Sequence, residues 1–405
     1  MAYTLQTKET SRLNIALSII ICLALGALSV FGVAQGAQEH TRRTQAAQAS
    51  QTQPSGSLAP ADTQGTAAAT ETTTASYIKW VEFNAPYAAL NDTLALDIKT
   101  HEEGTHISWI DSLAWLACKN GGNWKGYRSG QLQKLLDTLE EGQTVDDLMQ
   151  GNQYYPYYKK AYTAVLGGMV GEYEKEAPDK EHEGQKIIVK KYGLKAYCPI
   201  AEGFGYSHYD DFGDSRSYGY RRRHLGNDLL GAVGTPIVAV EGGIVEAYGW
   251  NQYGGWRLGI RSFDGKRSYY YAHLRKGHPY QTGLQLGSKV KAGQVIGYLG
   301  STGYSTKEDV NGMTKPHLHI GLQLIFDESQ KEGINQIWIN LYPLMELLNR
   351  NKATVVRDEE AKEYYRKYDI FDPAYPKELQ EKPKTTAPPS TTARPQATQQ
   401  TTAAP

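Results

Sequence analysis

Cysteine is scarce in this chain, with three in 405 residues. Cys22 lies inside an apolar run, so Cys118 and Cys198 are the only candidates for an internal pair, which excludes a disulfide-dense scaffold. Neither stands in a metal-binding spacing, and Cys118 falls in an apolar helical pattern that predicts a buried thiol. Net charge is also missing: 43 Lys and Arg balance 43 Asp and Glu. A nucleic-acid partner is therefore not expected, because neutralising phosphates needs a basic face, and Arg221-Arg222-Arg223 is only a local patch. Phe and Trp are few, at 7 each, whereas Tyr reaches 29, a bias toward side chains that are apolar in body and hydrogen-bonding at the tip.

A single long hydrophobic run breaks this pattern. Residues 13–34, LNIALSIIICLALGALSVFGVA, are uncharged and about as long as a helix needs to cross a bilayer. They predict an uncleaved transmembrane anchor after a short cytoplasmic tail, residues 1–12, that carries Lys8 and Arg12. The alternative is a signal peptide cut near Gly32-Val33-Ala34, which would release a secreted form. Residues 35–75 are Gln, Ala, Thr, Ser and Pro with hardly an aromatic, and residues 379–405 are rich in Pro and Thr. Such segments bury too little apolar surface to offset the entropy of ordering, so they are expected to be a disordered linker and a disordered tail.

The rest predicts an α+β protein. Residues 76–181 show a helical period: Ile107, Ile110, Leu113, Ala114 and Ala117 share one face, and Leu132, Leu135, Leu136 and Leu139 another, with Ser129 as N-cap. These predict a small helical accessory domain. Over residues 196–346 the period becomes two, in runs such as TPIVAVEGGIVEAYGW and HLHIGLQLIF separated by Gly-containing turns, which predicts an antiparallel, sandwich-like β domain. Residues 347–378 are expected to close the chain as a helical segment, judged by Leu344, Leu347, Leu348 and the charged run beyond them.

Three short pieces carry the chemistry: HLGND at 224–228, YAHL at 271–274 and PHLH at 316–319. Alternation along a strand sends His317 and His319 to the same face. If His224 and Asp228 come from a neighbouring strand, they add a nitrogen and a carboxylate oxygen, a set that fits zinc with one position left open for water. Taken singly each piece is weak; their combination and order are what make the pattern specific.

The succession HLGND, GTPIVAVEGGIV, YAHL, VKAGQVIGYLGSTGYST and PHLHIGLQL resembles the lysostaphin-type zinc metallopeptidases that cut peptidoglycan, over about residues 200–326. That resemblance implies His224, Asp228 and His319 as zinc ligands and His273 and His317 as catalytic residues, one activating water and the other steadying the oxyanion. It does not say which histidine takes which role. It further implies an endopeptidase acting on peptidoglycan peptides, and with the apolar run at 13–34 the expectation is a membrane-anchored, outward-facing enzyme. The alternative is a non-hydrolytic wall-binding scaffold that works with a partner membrane protein. Two departures stand out. KEDVNGMTK, before PHLH, is longer than relatives carry, and YSHYDDFGDSRSYGYRRR is rich in Tyr and Arg and reads either as a groove wall or as a solvated loop. His208 within it is expected at the surface.

Overall fold

The computed structural model describes residues 77–104 and 106–382. The expected anchor, its tail and linker, Cys22 and the chain beyond residue 382 lie outside the described residues. Among the described residues no helix is long and apolar enough to cross a membrane.

Five helices come first: α1 (Tyr87–Glu103), α2 (Trp109–Lys119), α3 (Gly130–Thr138), α4 (Val145–Leu148) and α5 (Tyr155–Leu166). Gly104 ends α1 in the left-handed region at φ 82°, and Ser108 starts α2 by accepting the Asp111 N–H. Leu113, Ala114, Ala117, Leu132 and Leu135 are buried, as the helical period predicts. Ser129 is not a cap: its backbone is already helical and its side chain makes no capping bond. Thr144 is one instead, sharing a reciprocal capping box with Asp147 at the start of α4.

The helical region ends earlier than residue 181. Gly167 and Gly168 stop α5, and strands β1 (Val170–Pro178) and β2 (Lys186–Leu194) form a hairpin. The β-branched run Ile187, Ile188 and Val189 in β2 favours a strand over a helix.

The β region then supplies β3 (Tyr206–His208), β4 (Ser215–Arg216), β5 (Arg222–Arg223), β6 (Asn227–Gly231), β7 (Pro236–Val238), β8 (Gly243–Asn251), β9 (Gly255–Ser262), β10 (Arg267–Ala272), β11 (Lys289–Val290), β12 (Val295–Tyr298), β13 (His317–Leu324) and β14 (Ile337–Ile339). The main sheet runs β11-β8-β9-β10-β13-β6-β3, with β14 also paired to β13, and a smaller sheet joins β7 to β12. Every strand pair is antiparallel, as expected.

One face of the main sheet is core. Leu229, Leu258, Ile260, Tyr269, Tyr271, Leu318, Ile320, Leu322 and Leu324 are all buried. The register puts Asp228 opposite His319, His319 opposite Ala272, and Tyr270 between Gly321 and Gly259, so these residues share the other face. That face is the floor of a groove.

Residues 342–348 form α6 (Tyr342–Leu348), but the segment 347–378 is not helical beyond it. It folds as a hairpin of β15 (Val355–Asp358) and β16 (Glu363–Arg366), then β17 (Ile370–Phe371), which pairs with β1, and a last turn α7 (Lys377–Gln380). The Asp358 carboxylate accepts the N–H groups of Glu360 and Ala361, so the charged run is a turn. Glu363 is buried against His278, Gln281 and Thr282, contacts that no local pattern announces.

The helices and the β region do not separate into two cores. The described residues fall in one compact unit, and Leu90, Leu113 and Tyr162 belong to the same buried cluster as Ile260 and Leu322. Arg267 ties the regions together: 2% exposed, it pairs with Glu241 at 3.0 Å and donates to the Ala164 carbonyl at 3.0 Å, satisfying an unpaired carbonyl at the end of α5. Short helices with one apolar face need such a partner surface. Cys118 and Cys198 are both free thiols, Cys198 buried and Cys118 partly so.

Candidate metal centre and groove

His317 and His319 sit on β13 two residues apart, and Asp228 lies across from His319 on β6. His224 arrives from the turn before β6. Its Nε2 is 2.8 Å from His319 Nδ1 and 3.0 Å from Asp228 Oδ1, while His319 Nδ1 is 3.2 Å from the same oxygen. Three donor atoms thus converge on one point. A tetrahedral zinc site with bonds of ~2.0–2.1 Å separates its ligand atoms by about 3.3 Å, so the set fits with little movement.

Gly226 makes the approach possible. A Cβ there would lie 2.5 Å from the Ile320 carbonyl oxygen and 2.7 Å from the His319 ring. Any side chain at this position would displace a ligand.

Burial opposes charge on His224, yet its bonds to Asp211 and Asp228 outweigh that and raise it to about 9. Burial also opposes ionisation of Asp228, but hydrogen bonds from His224 and His319 hold its carboxyl far below the ordinary range. This pocket favours a cation held between imidazoles and a carboxylate.

His273 and His317 stand beside the donors, with ring centroids 4.7 Å apart. His273 Nδ1 is 2.7 Å from the Thr302 carbonyl oxygen, which can only accept, so Nδ1 carries the proton and Nε2 presents a lone pair. Burial, then the neighbouring His317 and His319, keeps His273 well below its usual range and hence neutral. Its backbone takes φ 60°, a left-handed conformation that costs a β-carbon residue about 1–3 kcal/mol and clusters at functional sites. His317 is pinned in the same way, Nδ1 donating to the Lys315 carbonyl at 2.7 Å, and its Nε2 is buried without a partner.

Residues 222–332 match the family described as Peptidase family M23. They form an M23 domain. The chain is 41% identical over 124 residues to an L-Ala--D-Glu endopeptidase of Bacillus subtilis, which covers 31% of this chain and 36% of that protein. It is 40% identical over 97 residues to lysostaphin of Staphylococcus staphylolyticus, covering 24% of this chain and 18% of that protein. The chain therefore spans about a third or less of these relatives' lengths. The solved catalytic domain of lysostaphin from Staphylococcus simulans aligns at 32% identity with a TM-score of 0.27, covering 35% of this chain and 92% of that one. M23 peptidases of the lysostaphin type are zinc metallopeptidases, and the His, Asp, His set is consistent with that metal.

Around the M23 donors the structure adds two residues that the sequence pattern did not single out. The Asp211 backbone carbonyl lies 3.0 Å from His224 Nδ1, and its carboxylate accepts the Asp228 N–H at 3.3 Å. Arg216 donates to Asp211 at 2.8 Å and to the outer oxygen of Asp228 at 3.2 Å. Both sit in the Tyr/Arg segment before the motif, where nothing in the spacing tells which Asp folds back. Such partners orient ligands, and losing one typically weakens metal binding about 10–100-fold. We expect that loss for Asp211→Ala, measured by competition with a chromophoric zinc chelator, with the far-ultraviolet circular dichroism unchanged.

The Tyr/Arg segment is a groove wall. Arg216, Arg222 and Arg223 line the cavity of about 370 Å³ that contains the five motif residues. Tyr218 stacks on Tyr304 at 4.6 Å, and the Arg222 guanidinium lies over Tyr253 at 4.9 Å and Tyr304 at 5.2 Å. The long segment before Pro316 is pinned beside the groove and contributes to its wall. Asp309 accepts the Trp256 indole N–H at 2.8 Å and the Gly277 N–H at 2.9 Å, and Met313 reaches the groove. His208 is half-buried rather than exposed: it packs on Tyr342 at 4.4 Å, and burial, partly offset by Asp211 and Asp210, lowers it to about 4.

Proposed function

We propose that this chain is a membrane-anchored zinc endopeptidase that hydrolyses an amide in the peptide part of peptidoglycan on the outer side of the cell membrane. The observation carrying this reading is the complete set: three converging donors and two histidines with bare Nε2 atoms, inside an M23 domain. The apolar run at 13–34 supports the anchor, and the substrate supports the outward orientation.

In this reading His224, Asp228 and His319 hold the metal. A zinc ion held by these three residues would supply Lewis-acid polarisation of the amide carbonyl and a lowered pKa for water. His273, neutral and fixed by Thr302, accepts the proton of the attacking water at Nε2. His317 directs Nε2 at the same space and steadies the oxygen on which charge builds. The intact donor set favours the enzyme over a non-hydrolytic scaffold.

The full chain incubated with purified sacculi is expected to generate new peptide amino termini by mass spectrometry, abolished by a zinc chelator and restored by zinc. Absence of zinc-dependent cleavage would sink the reading and leave a scaffold.

A further inference from the structure

The groove floor carries a cation that no carboxylate neutralises among the described residues. Arg257 lies on β9 two positions from Gly259, and the register through Tyr270 and Ala272 puts it on the same sheet face as His319 and Asp228. β9 and β13 flank β10, so Arg257 rises about 10 Å from the His319 strand at ~4.8 Å per strand step. Its Nε is buried with no hydrogen-bond partner. Placing a guanidinium on a half-buried floor without a partner costs free energy unless a ligand completes it.

Two of the three carboxylates lining the cavity are already engaged, and none pairs with Arg257. Asp228 is held by Arg216 and the histidines, and Glu246 pairs with Lys331 at 2.8 Å and Arg261 at 3.8 Å. Glu332 is exposed to solvent. Across the groove stands a second guanidinium, Arg222, bonded only to the Tyr218 carbonyl and the Tyr304 hydroxyl and sandwiched by aromatic rings. Burial raises the Tyr270 hydroxyl, while Asn251 and then the Arg257 and Arg222 charges pull it back, so both cations act on one spot of the floor. A fork of N–H donors opposite an aromatic-backed cation matches a planar carboxylate.

We infer that Arg257, assisted by Arg222, is a specificity-determining residue that binds a free carboxylate on the substrate one or two residues from the scissile amide. This rests on the peptidase reading and deepens it. The favoured substrate is an acidic peptide, and a neutral chain such as oligoglycine lacks the group that Arg257 engages. Extended residues advance ~3.3 Å each, so a carboxylate one or two residues from the bond attacked beside His273 comes within reach of an arginine rooted about 10 Å away.

The test uses the full zinc-loaded chain and two synthetic peptides differing only in whether the carboxyl group beside the scissile amide is free or a primary amide. The ratio of kcat/KM, free acid over amide, is expected at about 10–100, the range for a charge-assisted hydrogen bond. Arg257→Gln should bring the ratio toward one, and Arg257→Lys, which keeps the charge and loses the fork, should fall between. The lysine variant carries the test if the glutamine variant fails to fold. A ratio near one in the unaltered chain, or a ratio that neither substitution changes, overturns the inference. Sacculi cut while neither peptide is cut also overturns it, but leaves the peptidase reading standing; no cleavage of sacculi removes that reading instead.

Discussion

Asp228→Ala is expected to leave the purified chain without stoichiometric zinc. The carboxylate is the only anion among the three converging donors, and it accepts from His224 Nε2 at 3.0 Å and His319 Nδ1 at 3.2 Å. Without it the two imidazoles face each other at 2.8 Å with no anionic donor to offset a divalent charge. The loss should exceed the about 10–100-fold typical of an outer partner such as Asp211. Metal content by plasma emission spectrometry after dialysis checks this. Retention of one equivalent would show that Asp228 is not a ligand. The floor should otherwise survive, because Asp228 is partly exposed on the groove face and the opposite face of its strand carries the packing residue Leu229.

His273→Ala is the contrasting case: full zinc content with turnover lowered by about 10²–10⁴, the range for a positioned general base. The reason is geometric. His273 touches none of the three donors by hydrogen bond; its Nδ1 is spent on Thr302 and its Nε2 faces the groove. The two variants together separate holding the metal from moving a proton. Equal zinc loss in both, read by the same spectrometric assay, would show the division of roles to be wrong. Sacculus cleavage in the His273 variant at the unaltered rate would move the base to His317.

Much of the site was legible in the residues. The spacing of two between His317 and His319 dictates a shared face on any strand, and the four-residue gap in HLGND lets His224 turn back to Asp228 at 3.0 Å. The alternation of Leu318, Ile320, Leu322 and Leu324 with the histidines likewise announces a sheet with one buried face. Three features read differently. The charged run after α6 suggested a helix, but Asp358 turns it into a hairpin and the buried Glu363 anchors it to Thr282, 81 residues away in sequence. His208 in a polar segment suggested the surface, yet it packs on Tyr342. The helical region suggested a domain with its own core, yet Arg267, a hundred residues later, donates into the end of α5.

By itself the sequence determined the local directions: which side chains share a face, where the period changes from helix to strand, and which donor types stand in the right order. These depend on the rise and rotation per residue, which the backbone sets within a few positions. Only the tertiary structure decided which distant groups meet. The order β9-β10-β13-β6 brings Arg257, Ala272, His319 and Asp228 onto one floor, and the short β4-β5 hairpin swings Asp211 and Arg216 behind the ligands. Sheet order and loop path follow from how the whole apolar surface is buried, a sum over contacts between residues far apart in the chain, and no short motif encodes that sum.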